Sequence, residues 1–202
     1  MNFKRIVILV QIIFWGSGFV ANAQEKITTY SMSVLGNKEP LSFDISLSKD
    51  NTLWIDMYSA YNQETRCGFT LDEHIKPNFI STAKQAGQLY TEWKRMALEN
   101  NLQEIKQKMH FIFYTGGYFS YFGNMKTDNN VRVIFAFTYF KGDYVLIINL
   151  DKMIADDDEQ ISFEGGTIVF NSENEIESFL NTLSTESINN LRASKSNAVD
   201  PN

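Results

Sequence analysis

Between Leu41 and Tyr58 the chain alternates apolar and polar residues so strictly that one local structure fits it. Leu41, Phe43, Ile45 and Leu47 are separated by Ser42, Asp44 and Ser46. After Lys49-Asp50-Asn51 the beat resumes at Leu53, Ile55 and Met57. A period of two belongs to a β-strand with one dry and one wet face. Taking Lys49-Asp50-Asn51 as a loop, with Asn51 in the left-handed region, folds the two runs into a hairpin. Leu47 then opposes Leu53, Ile45 opposes Ile55 and Phe43 opposes Met57. A slip of one residue would turn all of them outward, so the pattern fixes the register. The same register sets Asp44 opposite Asp56 on the wet face, with Trp54 and Tyr58 flanking Asp56, and Ser42 and Ser46 flanking Asp44.

The rest of the chain extends this theme. Tyr30, Met32 and Val34 alternate with serines, and Cys67, Phe69 and Leu71 form another short strand. The period then changes. Phe79, Ala83, Ala86, Tyr90, Trp93 and Ala97 recur at helical spacing, with Pro77 suited to the first turn and Asn100-Asn101 to the end. Strands return at His110–Tyr114, Val131–Phe140 and Tyr144–Leu150, the last two apolar on both faces and so expected to be covered on both sides. Lys141-Gly142-Asp143 reads as a tight hairpin, Gly116-Gly117 as a turn, and Ile161–Phe170 as a hairpin around Gly165-Gly166. Ser172, with Glu175 three residues on, caps a closing helix whose apolar face is Ile176, Phe179, Leu180, Leu183 and Ile188. The expected fold is α+β: an antiparallel sheet of about eight strands, one long helix after the fourth strand, and a C-terminal helix on one face.

The N-terminus sets the expected compartment. Lys4-Arg5 precedes an apolar run from Ile6 to Phe14 broken only by Gln11, and Ala21-Asn22-Ala23 places small residues before Gln24. That is the layout of a secretory signal, too short in its apolar part to span a bilayer comfortably. The expected organisation is a signal over 1–23, one α+β domain over 24–191 and a disordered tail over 192–202, exported to the periplasm or beyond. Cleavage would remove Lys4 and Arg5, taking 18 basic residues to 16 against 24 acidic, a net charge of −8. Such a chain is repelled by phosphate backbones, which argues against nucleic acid as a partner, and beyond the signal no integral membrane segment is expected. The single cysteine, Cys67, excludes an internal disulfide.

Chemistry is sparse. There is no H-E-x-x-H, no cysteine pair at metal spacing, no G-x-S-x-G and no dinucleotide fingerprint, so no metal or cofactor is expected. Cys67 shares a strand face with Phe69 and Leu71 and reads as a small buried hydrophobe rather than a nucleophile. The acidic run Asp156-Asp157-Asp158-Glu159 lacks the spacing of a calcium loop and reads as a solvated loop. The catalytic candidates are Asp44 and Asp56, a carboxylate pair beside an aromatic shelf of the kind sugar hydrolysis uses. The ligand-binding candidates are Trp54, Tyr58, Tyr118 and Tyr121, the last two within the aromatic cluster Tyr118–Phe122. The sequence thus points first to an exported, non-catalytic module binding a protein or a glycan. The competing readings are a carboxylate-dependent hydrolase and a structural component of the cell envelope.

Overall fold

The computed structural model describes residues 24–32, 41–59 and 62–196. The segment 1–23 read as a signal, Val34, and residues 197–202 lie outside the described residues. Among those described, the elements follow as β1 (Glu25–Met32), β2 (Leu41–Leu47), β3 (Leu53–Ser59), β4 (Asn62–Leu71), α1 (Lys76–Glu99), β5 (Lys106–Tyr121), β6 (Asn124–Phe140), β7 (Asp143–Leu150), β8 (Met153–Ala155), β9 (Asp158–Phe163), β10 (Thr167–Phe170), α2 (Glu173–Thr182) and α3 (Thr185–Ser196). Eight strands form one sheet in the order β1-β2-β3-β4-β5-β6-β7-β10, antiparallel throughout. The helix after the fourth strand and the C-terminal helices complete the α+β architecture.

One face of this sheet holds the core. Phe43, Ile45, Ile55, Met57, Cys67, Phe69, Phe119, Val133, Phe135 and Phe137 are all buried in it. The apolar stripe of α1 lies against them. Phe79 packs on Phe69, Phe113 and Phe135 and on Phe179 of α2. Phe43 of β2 meets Phe170 of β10 edge-on at 6.2 Å, so the sheet curls until strands near its two ends touch. Phe179 fills the seam, 5.8 Å from Phe43 and 5.2 Å from Phe170.

Local signals explain the helix ends. Asp72 accepts hydrogen bonds from the His74 and Ile75 amides, and Pro77 sits in the first turn of α1. Asn101 follows its end with φ 52, the left-handed position a helix stop favours. Ser172 Oγ accepts from the Glu175 amide, and Glu175 reaches back to the Asn171 amide. Lys141 and Gly142 (φ 51 and 98) make the two-residue turn between β6 and β7.

Four expectations are corrected. Gly116-Gly117 is not a turn but part of β5, at a bulge between Thr115 and Gly117, so His110–Tyr114 and Tyr118–Tyr121 belong to one strand. Ile161–Phe170 is not a hairpin. Met153 pairs with Phe163 through a two-residue turn at Asp156-Asp157, while β10 pairs with β7. Gly165 instead turns the chain with φ 85, where a Cβ would strike the Leu150 carbonyl oxygen. The closing helix is two helices: Ser184 Oγ accepts from the Ser187 amide and starts α3, which extends to Ser196. Finally, β6 is covered mainly on one face, with Val131, Val133, Phe135 and Phe137 buried and Arg132, Ile134 and Ala136 only half-buried between them.

Candidate functional site

The face of the sheet opposite the core carries a row of residues in register across five strands. Thr29 pairs with Asp44, Asp44 with Asp56, Asp56 with Gly68, and Gly68 with Tyr118. The opposition of Asp44 and Asp56 is therefore as the sequence pattern requires. Like charges directly opposed across strands repel, and the neighbouring strands compensate them. Lys26 of β1 lies 2.8 Å from Asp44 Oδ2, and the Thr29 hydroxyl donates to Oδ1 at 2.6 Å. Arg66 of β4 donates to Asp56 Oδ1 through Nε and Nη2, both at 2.5 Å. The Tyr118 hydroxyl donates to the same oxygen at 2.5 Å.

Tyr118 reaches Asp56 from two strands away, a span of about 10 Å at the usual strand spacing. It does so because Gly68 stands between them. A Cβ on Gly68 would collide with the Tyr118 hydroxyl and with the Ile55 carbonyl oxygen. The Tyr118 ring therefore lies on bare backbone, fully buried, against the Trp54 ring at 4.6 Å and 48°. The Arg66 guanidinium is 5.8 Å from the Tyr118 ring centre.

Beside these rings is a cavity of about 200 Å³, lined by Trp54, Tyr118, Thr70, Asp50, Thr127 and Asn129 among others. The β2–β3 turn supplies Asp50, whose Oδ1 accepts from the Ser48 hydroxyl and, at 3.4 Å, from the Thr52 amide. The Ser48 bond holds the exposed Asp50 carboxyl below its ordinary value. Two buried polar side-chain atoms lack a hydrogen-bond partner among the described residues: Trp54 Nε1 and Asp56 Oδ2. Both belong to β3, two positions apart on the same face. Larger depressions of about 580 and 680 Å³ run along α1–α2 and between β1 and the C-terminal helices, and contain no such atom.

The remaining sequence candidates separate. Tyr58 sits in β3 opposite Ser42 and Arg66, and its side chain lies outside the described residues. Tyr121 is exposed at the far end of β5, where it meets Phe122 edge-on at 4.7 Å, away from the packed pair Trp54 and Tyr118. Cys67 is buried, and its thiol is pushed up to about 12 by burial and by the nearby negative charge of Asp56. The acidic run forms the β8–β9 turn. Asp156 accepts from Thr127 and from the Asn129 amide, and Asp157 pairs with Lys126 at 2.7 Å, which holds the exposed Asp157 carboxyl below its ordinary value. No cluster of metal-ligating side chains exists among the described residues. No described helix is long and apolar enough to cross a membrane.

Arg66 and Gly68 were missed by the sequence pattern, although a glycine in mid-strand is itself a signal that something approaches the backbone closely. No protein-family model matches the chain, and comparison with curated proteins finds no match.

Proposed function

We propose that the protein is an exported, non-catalytic binding module, and that the tip of the β5–β6 hairpin is its contact surface for a partner protein. The observation that carries this reading is Phe122. It is 89% exposed and occupies the first position of a two-residue turn with φ 47, followed by Gly123 at φ 78. Turns of that kind favour Asn, Asp or Gly at both positions, and a bulky residue in the left-handed region is strained. A large aromatic there meets the Tyr121 ring edge-on and otherwise stands in solvent, and Tyr121 and Met125 extend the apolar tip beside it. Exposed aromatic anchors of this sort are what protein interfaces use as hot spots. The acidic β8–β9 turn, tied to Lys126 and Thr127 next to the tip, disfavours anionic lipid and favours a partner whose apolar pocket has a basic rim.

A carboxylate hydrolase on Asp44 and Asp56 has less support, because each carboxylate is held by its own cation. Export rests on the layout of residues 1–23.

The test places a photo-crosslinking residue at position 125 in cells that make the protein. A discrete heavier adduct is expected there and not from Leu98, a more accessible control on α1 at 61% exposure against 42% for Met125. Phe122→Asn should abolish the adduct while leaving the fold intact or stabilising it by about 0.5–1 kcal/mol, since Asn tolerates the left-handed region. An adduct that survives Phe122→Asn, or equal labelling from position 98, overturns the reading. N-terminal sequencing should begin at Gln24, and an N-terminus at Met1 removes the export half.

A further inference from the structure

We propose that the cavity beside Trp54 and Tyr118 is a separate binding site for a primary ammonium group on a short aliphatic stem. The hydroxyls in its lining have their protons turned to other partners. Thr70 donates to the Gly116 carbonyl at 3.2 Å, and Thr127 donates to Asp156 at 3.0 Å. Ser48 donates to Asp50 and to the Thr52 carbonyl. A hydroxyl has one proton, so these three oxygens have only lone pairs left to offer. Asp50 is the one carboxylate among the described lining residues, and its hydrogen bonds to Ser48 and Thr52 fall on Oδ1, which leaves Oδ2 to a ligand. The Ser48 bond holds that carboxyl below its ordinary value, so it is charged at neutral pH. A wall of acceptors with one negative charge calls for a cation that only donates, and an ammonium with three N–H groups is the compact one.

The aromatic part of the lining agrees. Trp54 is half-buried, so part of its indole meets the cavity, and indole is the ring that attracts a cation most. Its Nε1 is buried out of a ligand's reach, so the cavity meets ring surface rather than a competing N–H donor. Trp54 and Tyr118 pack on each other at 4.6 Å, and the ligand takes the open volume beside the pair, not the gap between the rings. No Lys or Arg lines that volume, so no resident cation competes for Asp50. A cavity of about 200 Å³ admits an ammonium with a stem of a few carbons rather than an extended ligand. The net charge of −6 draws cations toward the chain as a whole.

The probe is butylamine, protonated at neutral pH, titrated into the full-length protein labelled with nitrogen-15. The readout is the Trp54 indole resonance, assigned by its loss in Trp54→Phe. It is expected to move with butylamine at millimolar concentration, to stay still with butanol at the same concentration, and to need more amine in added salt. Butyltrimethylammonium keeps the charge but loses the N–H donors, and should bind more weakly. Asp50→Asn keeps the shape and removes the charge. It should weaken butylamine binding about 3–5-fold, the scale of an exposed charge pair, with little change in melting temperature. A capped lysine titrated beside butylamine separates two sources of the group: tighter binding assigns a partner's lysine side chain, and equal or weaker binding a free amine. No movement with butylamine overturns the proposal, as does an equal response to butanol, equal affinity for butyltrimethylammonium, or full affinity in Asp50→Asn. Phe122→Asn should leave the titration unchanged, so failure here and failure of the hairpin-tip reading are read independently, and a titration abolished by that variant overturns the separate site.

Discussion

Asp44 and Asp56 face each other across one pair of strands, carry the same group, and live in different surroundings. Asp44 sits near the sheet edge, paired with a lysine whose side chain is 56% exposed. Asp56 is completely buried, with three hydrogen bonds converging on one oxygen and none on the other. The hairpin that contains both treats them as equivalent. The difference comes from the strands on either side: Arg66 and Gly68 of β4 and Tyr118 of β5 close over Asp56, while Lys26 and Thr29 of β1 reach Asp44. Burial of a strand residue is thus decided by its neighbours across the sheet as much as by the pattern of its own strand.

The sharpest way to break this contrast is Asp56→Ala, which removes the acceptor that Arg66 and Tyr118 both use. Removing one member of a buried ion pair costs about 3–5 kcal/mol, and the lower end applies because the Arg66 side chain is 28% exposed. Urea unfolding should therefore show a loss of about 3 kcal/mol, and a loss under about 1 kcal/mol would put Asp56 in the same class as Asp44. Gly68→Ala forces a methyl group against the Tyr118 hydroxyl and the Ile55 carbonyl and should cost about 2–3 kcal/mol by the same measurement. An unchanged midpoint would mean that Tyr118 can move aside freely. Tyr118→Phe keeps the ring over Gly68 and loses one bond to a charged acceptor, for an expected loss of about 1.5–2 kcal/mol.

Cys67 sharpens the contrast by charge, since Asp56 contributes to its raised value. A thiol whose value rises on folding, here from 9.0 to about 12, favours the folded state fully below its unfolded value. That contribution is lost as the pH climbs through this window, with a slope of up to about 1.4 kcal/mol per pH unit. Cys67→Ala should flatten the alkaline fall in stability, and an identical fall in both proteins would contradict a buried neutral thiol. The smallest effect belongs to Asp44→Ala: the Asp44 side chain is 11% exposed but its lysine partner is 56% exposed, so the loss should be about 1 kcal/mol and shrink in added salt.

Much of the fold was legible because the relevant signals are local. The alternation through Leu41–Met57 specified the hairpin and its register, the stripe from Phe79 to Ala97 specified α1, and Ser172 with Glu175 specified the start of α2. Glycine was where reading failed. Gly116-Gly117 lies within a strand at a bulge, and Gly165 turns the chain between two different pairings rather than within one hairpin. Local composition does not say whether a glycine bends the backbone or leaves room for something to cross it. Tyr118, a ligand-binding candidate of the Tyr118–Phe122 cluster, lies with its ring over Gly68, an approach that no period along β5 announces.

The sequence by itself determined the alternating faces, the opposition of Asp44 to Asp56, the long helix after the fourth strand and the caps, all of which follow from periods and short-range hydrogen bonds. Only the tertiary structure decided that Arg66 and Tyr118 meet Asp56, that Trp54 faces a cavity with Tyr118, and that Phe122 projects while Tyr118 does not. Those outcomes depend on which strands become neighbours and on side chains crossing one another's backbones, and no period along the chain encodes either.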